Sequence, residues 1–215
     1  MNIALVNEFK IIYDAMGIDV WEVIDAASSK PFGYMPFYPG PGLGGHCIPI
    51  DPFYLTYKAK EFGVATRFIE LAGEINTMMP NFVVNKIVNS INNFTKKNIK
   101  ECKILVLGLS YKKDIDDTRE TPSFVIMEKL ISLGAEVDFS DPYISKIGKL
   151  RNHPNLYGKK GIKISSQTLN SFDAVVISTA HSDFDYDLLA KNATLIIDTR
   201  NVMDSFKVNG NIVKA

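Results

Sequence analysis

Apolar residues in the first part of the chain recur every three or four positions, which is the spacing of amphipathic helices. One apolar stripe begins at the first residues and comprises Leu5, Phe9, Ile12 and Met16. Because exposing apolar surface costs about 25 cal/mol per Å2, we expect this stripe to pack on an upstream segment or on a partner. Further helices are predicted over residues 20–27, 51–62 and 66–94, the last interrupted or kinked near Pro80.

After residue 98 the pattern changes to short apolar runs that alternate with helical stretches. Strands are predicted over residues 103–108, 136–140, 162–165, 174–178 and 195–198, and helices over 123–133 and 186–190. This alternation is typical of a doubly wound parallel sheet. We therefore predict an α/β chain with two domains, an all-helical dimerisation domain over residues 1–98 and a Rossmann-like domain over residues 99–215.

Composition narrows the class of protein. Lys plus Arg and Asp plus Glu both count 24, for a formal net charge of zero, which argues against a protein that wraps nucleic acid. Cys47 and Cys102 have no paired spacing and no metal-type cluster around them, so neither a disulfide scaffold nor a metal site is predicted. No apolar run approaches the roughly 20 residues of a membrane helix, and the first residues do not show the layout of a signal peptide, so we expect a cytoplasmic protein that does not bind membranes.

Residues 40–45 spell G-x-G-x-x-G, the fingerprint of dinucleotide-binding turns. That fingerprint requires a strand before it and a helix directly after it, whereas prolines flank this segment on both sides. The predicted strand–turn–helix that starts at residue 103 carries a single glycine, Gly108. Neither segment is therefore predicted to be a standard NAD-binding turn.

Cys47 follows this glycine-rich segment and precedes a predicted helix. A thiol near a helix N-terminus is typically more acidic and more nucleophilic than a free one, but a small buried hydrophobe fits the composition equally well. In an extended segment the side chain of His46 points away from that of Cys47, which favours a structural or substrate-contacting role over a Cys–His dyad. Asp51 is predicted to be the helix N-cap, with a second role in activating water or orienting a base.

Residues 112–122 form a dense charged loop at the carboxyl end of the first predicted strand. Ligands of open α/β sheets bind at that edge, and lysine and arginine suit phosphate or carboxylate groups. The alternative interpretation is a solvated turn of mutually paired charges.

Three motifs carry a resemblance to the UDP-glucose/GDP-mannose dehydrogenase family. They are GPGLGGHCIPIDP at residues 40–52, LGLSYKKDIDDTRETPS at 107–123 and IDTRNVMD at 197–204, in the family's order. The histidine before the cysteine looks most similar to the branch that acts on UDP-N-acetylhexosamines, in the mannosamine, glucosamine or galactosamine form.

The resemblance implies a set of site residues. Cys47 matches the catalytic thiol, and Asp51 matches an aspartate that assists thioester hydrolysis. The remaining matches are Tyr38, Gly44, Tyr111, Lys112 and Arg200 for substrate binding, Arg119 for the NAD cofactor, and Lys30 for the site of a partner subunit.

The resemblance also implies the chemistry. NAD accepts two hydrides in turn as the primary alcohol of the sugar becomes an aldehyde, a Cys47 thiohemiacetal and then a thioester, which water releases as a carboxylate. The family's amino-terminal NAD-binding domain has no counterpart here, so the chain alone is expected to be inactive. Two alternatives remain: a non-catalytic nucleotide-sugar-binding or regulatory homodimer, and a cysteine hydrolase built on Cys47 and His46.

Overall fold

The computed structural model describes residues 1–206 and 210–215. Its α-helices are α1 (Asn2–Met16), α2 (Val20–Ser28), α3 (Cys47–Glu61), α4 (Arg67–Thr95), α5 (Pro122–Ser132), α6 (Ser166–Leu169) and α7 (Tyr186–Asn192). Its strands are β1 (Lys103–Leu107), β2 (Glu136–Ser140), β3 (Ala174–Ile177), β4 (Ile196–Asp198) and β5 (Ile212–Lys214). Among these described residues, no helix is both long and apolar enough to cross a bilayer.

The five strands form one parallel sheet in the order β2-β1-β3-β4-β5. In its register, Val106 of β1 lies between Phe139 of β2 and Val176 of β3. The strand order changes direction at β1: β2 lies on one side of β1, and β3 and the later strands follow on the other side. Open α/β sheets bind ligands at such a switch point, at the carboxyl ends of the strands. The predicted Rossmann-like sheet is confirmed.

Two hydrophobic cores cover the two faces of the sheet. One core joins β1 to α5 and also to the second half of α4, through Val83, Val84, Ile87 and Ile91. The other joins the opposite face to α6 and α7, including Leu169 and Leu189. Because α4 also packs on α1 and α3, this one long helix belongs to both the helical part and the sheet part.

The apolar stripe of α1 does not face the interior of the chain. Leu5, Phe9, Ile12 and Met16 are all exposed, Met16 at 62%. The opposite face of α1 is buried, including Asn7 and Lys10, and α1 packs on α4. Burial lowers the pKa of Lys10, although nearby Asp14 opposes that shift. Among the described residues, nothing buries this stripe, which was expected to pack on an upstream segment or on a partner.

Two sequence-based predictions about this fold were wrong. Helix α3 begins at Cys47 and not at residue 51, because Pro49 lies in the first turn, where backbone N–H groups have no intrahelical partner. Asp51 is therefore inside the helix and is not its N-cap. Residues 162–165 form no strand: Ile162 donates one hydrogen bond to the Phe139 carbonyl, and Ser165 then caps α6.

Other boundaries agree within a residue or two, and two elements were not predicted. Helix α4 continues through Pro80 without the interruption that was expected there as one alternative to a kink. Strand β5 at the sheet edge and the short helix α6 were both missed. Elements this short carry too few residues for a periodic pattern.

We predict that Ile87→Ala lowers the free energy of unfolding by about 2–5 kcal/mol, because it opens a cavity where α4 meets the sheet. Urea denaturation measures this loss. The matched control is Ile131→Ala on the exposed side of α5, which is expected to cost less than about 1 kcal/mol. Equal small losses in both variants would mean that α4 does not share the core of the sheet.

Candidate active site

The glycine loop, residues 40–45, lies between the helices of the first part and the segment that follows β1. At one end, the Gly40 N–H donates to Asn7 Oδ1 of α1 at 3.0 Å. At the other end, the Gly45 N–H donates to the Arg119 carbonyl at 2.8 Å. Asn7 is itself fixed by a 2.9 Å hydrogen bond from its Nδ2 to Asn76 Oδ1 of α4. The loop is therefore anchored to both parts of the chain.

The glycines in this loop make room for side chains from the sheet part. A Cβ added at Gly44 would lie 2.5 Å from Tyr111 Cβ and 2.9 Å from the Glu120 carbonyl oxygen. A Cβ added at Gly40 would lie 2.5 Å from Nη1 of Arg200. At Gly44 only glycine permits this approach to a Cβ and to backbone, and at Gly40 a larger residue would have to displace the guanidinium. The two positions bring the glycine loop close to Tyr111 and Arg200.

Arg200 is held at the carboxyl end of β4. Its Nε donates to the Ser178 carbonyl at 2.8 Å, and its backbone N–H donates to Asp198 Oδ1 at 2.8 Å. Burial lowers the pKa of Arg200 to about 10, and the Coulombic effect of Asp198 opposes that shift. The guanidinium is therefore still positive at neutral pH and suited to a phosphate group.

The start of α3 brings together a thiol, an imidazole and a carboxylate. Donor atoms of His46, Cys47 and Asp51 all lie within 4.8 Å of one another, and His46 Nδ1 is 3.6 Å from Asp51 Oδ1. The expectation that His46 points away from the thiol assumed an extended segment, whereas Cys47 is the first residue of a helix. These three exposed side chains are of residue types that also bind zinc.

The charged loop after β1 is partly paired within itself. Arg119 donates to both carboxylate oxygens of Asp117, at 2.6 to 3.1 Å. This pairing raises the pKa of Arg119 and lowers that of Asp117. The side chain of Lys112 is exposed, and the Arg119 carbonyl accepts a hydrogen bond from Gly45, two residues before Cys47. The pairing of Arg119 with Asp117 agrees with the interpretation as a turn of mutually paired charges, and ligand binding by this loop stays a prediction.

The other predicted contact residues lie at the edge of this arrangement. Tyr38 stacks on Trp21 of α2, with ring centroids 5.6 Å apart. Lys30 is exposed just after α2. The structure therefore groups Gly44, Tyr111, Arg119 and Cys47, with Arg200 at the far end of the glycine loop.

Two family domain models match this chain. Residues 1–78 match the central domain of the UDP-glucose/GDP-mannose dehydrogenase family, and residues 105–205 match its UDP binding domain. The chain belongs to this family.

Its relatives are enzymes of nucleotide-sugar oxidation. A UDP-N-acetyl-D-mannosamine dehydrogenase of Methanococcus vannielii is 34% identical over 212 residues, covering 95% of this chain and 45% of the relative. A UDP-N-acetyl-D-glucosamine 6-dehydrogenase of Pseudomonas aeruginosa is 34% identical over 184 residues, covering 86% and 42%. The solved UDP-D-ManNAc dehydrogenase of Pyrococcus horikoshii superposes with a TM-score of 0.77 at 31% identity, covering 93% and 44%. The chain thus spans about half the length of the curated relatives it matches.

The described residues do not fit a complete NAD site. A helix does follow the glycine loop, but no strand precedes it in the described chain, so it is not a dinucleotide-binding turn. In the turn after β1, a Cβ added at Gly108 would collide with the backbone of Thr179. Gly108 therefore permits close packing of this turn against the segment that follows β3.

Sequence reasoning missed Asn7, which it placed only in a helix. It included Gly40 in the glycine-rich motif before Cys47 but did not predict the contacts of Gly40 with Asn7 and Arg200. The position of Asn7 on the face of α1 opposite the apolar stripe was a signal in the sequence that its side chain has a specific partner. That the partner is Gly40 is visible only in the fold.

We predict that Gly40→Ala weakens UDP binding roughly 10-fold, because the added methyl group must displace the Arg200 guanidinium. Isothermal titration calorimetry with UDP measures the change. Gly148→Ala is the matched control, since an added Cβ there meets nothing within 4 Å. Equal UDP affinity in both variants would show that Gly40 does not set the position of Arg200.

Proposed function

We propose that this chain forms the thiol-bearing and UDP-binding part of a UDP-N-acetylhexosamine 6-dehydrogenase. The observation that carries the proposal is the contact between the glycine loop, which precedes Cys47, and the segment that contains Tyr111 and Arg119. This contact places a reactive group of the central domain beside the UDP-binding domain. The names of the relatives support an N-acetylhexosamine as the sugar.

Arg200 and Lys112 supply the positive charge that a diphosphate requires. Arg200 is oriented by Ser178 and Asp198, whereas the exposed side chain of Lys112 is free to move toward a ligand. Tyr111 faces Gly44 and Gly45, and Tyr38, two residues before the glycine loop, offers a second aromatic ring. In this proposal, these residues hold the nucleotide sugar with its reacting carbon toward Cys47.

The chemical role of Cys47 is to trap the oxidised sugar covalently. Its thiolate attacks the aldehyde carbon, a sulfur–carbon bond forms, and the carbonyl electron pair becomes an alkoxide that takes up a proton. In the final step, water attacks the thioester carbon and the thiolate leaves. Asp51 lies within 4.8 Å of the Cys47 donor atom, which suits it to accept the proton from that water.

We assign no oxidation step to the described residues, since they do not fit NAD. In the relatives, more than half of the chain lies outside the matched region, and the proposal places the hydride acceptor there. Arg119, on the exposed side of the charged loop, is the one residue for which we propose a contact with that cofactor. These 215 residues are therefore proposed to bind the substrate without oxidising it.

The exposed stripe of α1 supports a homodimer through the helical part. Leu5 and Ile12 are nearly half exposed on a face that otherwise presents apolar groups. A second copy that covers this face would remove it from water and thereby stabilise the assembly.

We predict that the chain binds UDP but forms no NADH when it is mixed with NAD and UDP-N-acetylmannosamine, UDP-N-acetylglucosamine or UDP-N-acetylgalactosamine. Calorimetry measures the binding, and absorbance of NADH measures turnover. NADH formation would contradict the claim that these residues lack the oxidation step. Ester cleavage that depends on Cys47 but not on NAD would favour the cysteine hydrolase.

The same titration tests the UDP site with matched variants. Arg200→Ala is expected to weaken UDP binding roughly 10- to 100-fold, which is the loss expected for a charge-assisted hydrogen bond. Arg151→Ala is the control, because Arg151 is exposed and lies outside the site. Absence of UDP binding to the unmodified chain, or equal binding by both variants, would contradict the proposed site.

A further inference from the structure

A buried polar cluster lies directly beneath the charged loop. It consists of Ser110 after β1, Asp141 after β2 and His181 after β3, at the switch point of the sheet. The side chains of His181 and Asp141 are both 0% exposed. His181 Nε2 lies 3.1 Å from Ser110 Oγ and 3.2 Å from Asp141 Oδ2. The thiol chemistry at Cys47 uses none of these groups.

The hydrogen bonds determine which nitrogen of His181 carries the proton. The backbone N–H of Asp114 donates to His181 Nδ1 at 2.9 Å, so Nδ1 is an acceptor and has no hydrogen. The Ser110 hydroxyl donates to the Lys112 carbonyl at 2.7 Å, so Ser110 accepts from Nε2. His181 is therefore neutral, with its hydrogen on Nε2.

Asp141 accepts a hydrogen bond from Nε2 of His181 and so helps to fix the orientation of the imidazole ring. Burial would raise the pKa of Asp141, but hydrogen bonds from His181, from the Leu109 N–H and from the Tyr143 N–H together lower it. The Leu109 N–H bond is 2.6 Å long. Asp141 is thus an ionised acceptor that orients the Nε2–H group of His181.

These three residue types also occur in hydrolase triads, but their geometry here excludes that chemistry. In a triad, serine and aspartate contact opposite nitrogens of the histidine. Here Ser110 and Asp141 both contact Nε2, and Ser110 is fully buried. The cluster therefore has an orienting role and not a nucleophilic one.

The segment that His181 holds contains two predicted substrate residues. Its Nε2 fixes Ser110, and its Nδ1 fixes Asp114, on either side of Tyr111 and Lys112. Asp114 has a φ of 62°, in the left-handed region, and its carboxylate accepts from the Ser182 N–H and hydroxyl groups at 2.7 and 2.8 Å. A single buried imidazole thus spans both ends of the turn.

We infer that His181, in its neutral Nε2–H form, is a positioning residue that holds Tyr111 and Lys112 in the conformation that binds UDP. The inference rests on the proposed UDP site for its functional consequence. The tautomer and the hydrogen bonds stand on geometry alone, so they can be tested separately.

The first test is the tautomer of His181, measured by NMR of the chain labelled with 15N-histidine. The chain has three histidines, and the His181 signals are those missing from His181→Gln. We expect a protonated Nε2 and an unprotonated Nδ1 at neutral pH. A protonated Nδ1 would overturn the inference, whether or not the chain binds UDP.

The second test separates positioning from folding with His181→Gln. The glutamine amide places a donor near the Nε2 position, toward Asp141 and Ser110, but its carbonyl oxygen does not occupy the Nδ1 position that accepts from the Asp114 N–H. We expect a thermal midpoint close to that of the unmodified chain and UDP binding roughly 10-fold weaker by calorimetry. His181→Ala removes both contacts and is expected to lose both stability and UDP affinity.

The matched control is His153→Gln, in the same domain, where His153 pairs with Glu128 at 2.7 Å. It is expected to leave UDP affinity unchanged. Equal UDP affinity in His181→Gln and His153→Gln would overturn the inference. If the unmodified chain does not bind UDP, the proposed function fails, and the tautomer measurement still decides the geometry of His181.

Discussion

The close approach of the glycine loop to the segment after β1 is the contact on which the candidate site depends. Gly44 lies against Tyr111, and the Gly45 N–H donates a hydrogen bond to the Arg119 carbonyl. Gly40 lies beside the Arg200 guanidinium. A side chain at Gly44 would collide with Tyr111 and with the backbone of Glu120, whereas a side chain at Gly40 would displace the Arg200 guanidinium. The glycines that spell a cofactor fingerprint therefore serve here to join the thiol to the UDP-binding domain.

This contact can be maintained because both of its sides are fixed. Asn7 and Asn76 anchor the loop from the helices, while His181 anchors the opposing segment from the sheet. Helix α4 joins the two supports, since it packs on α1 and also contributes Ile87 to the core of the sheet. The helical part and the sheet part therefore share packing along α4.

The pattern of apolar and polar residues along the chain was sufficient to predict much of the fold. For example, β1 is a continuous apolar run and β2 alternates apolar and polar residues, and turns bound both strands. The pattern did not predict features that depend on a local exception or on contacts between residues far apart in sequence. The proline-rich start of α3 looked like a loop, yet Pro49 is tolerated in its first turn. The contact between Gly40 and Arg200 joins residues far apart in sequence, and the burial of His181 depends on three strands that meet at one edge. No periodicity reveals either feature.

The most direct measurement of the central claim is the rate at which iodoacetamide alkylates Cys47, followed by mass spectrometry with and without UDP-N-acetylmannosamine. Cys102 is buried and serves as the internal reference. If the thiol and the UDP site form one site, the bound nucleotide sugar slows alkylation of Cys47, and Arg200→Ala loses this protection. Alkylation of Cys47 at the same rate with and without saturating ligand would contradict the account.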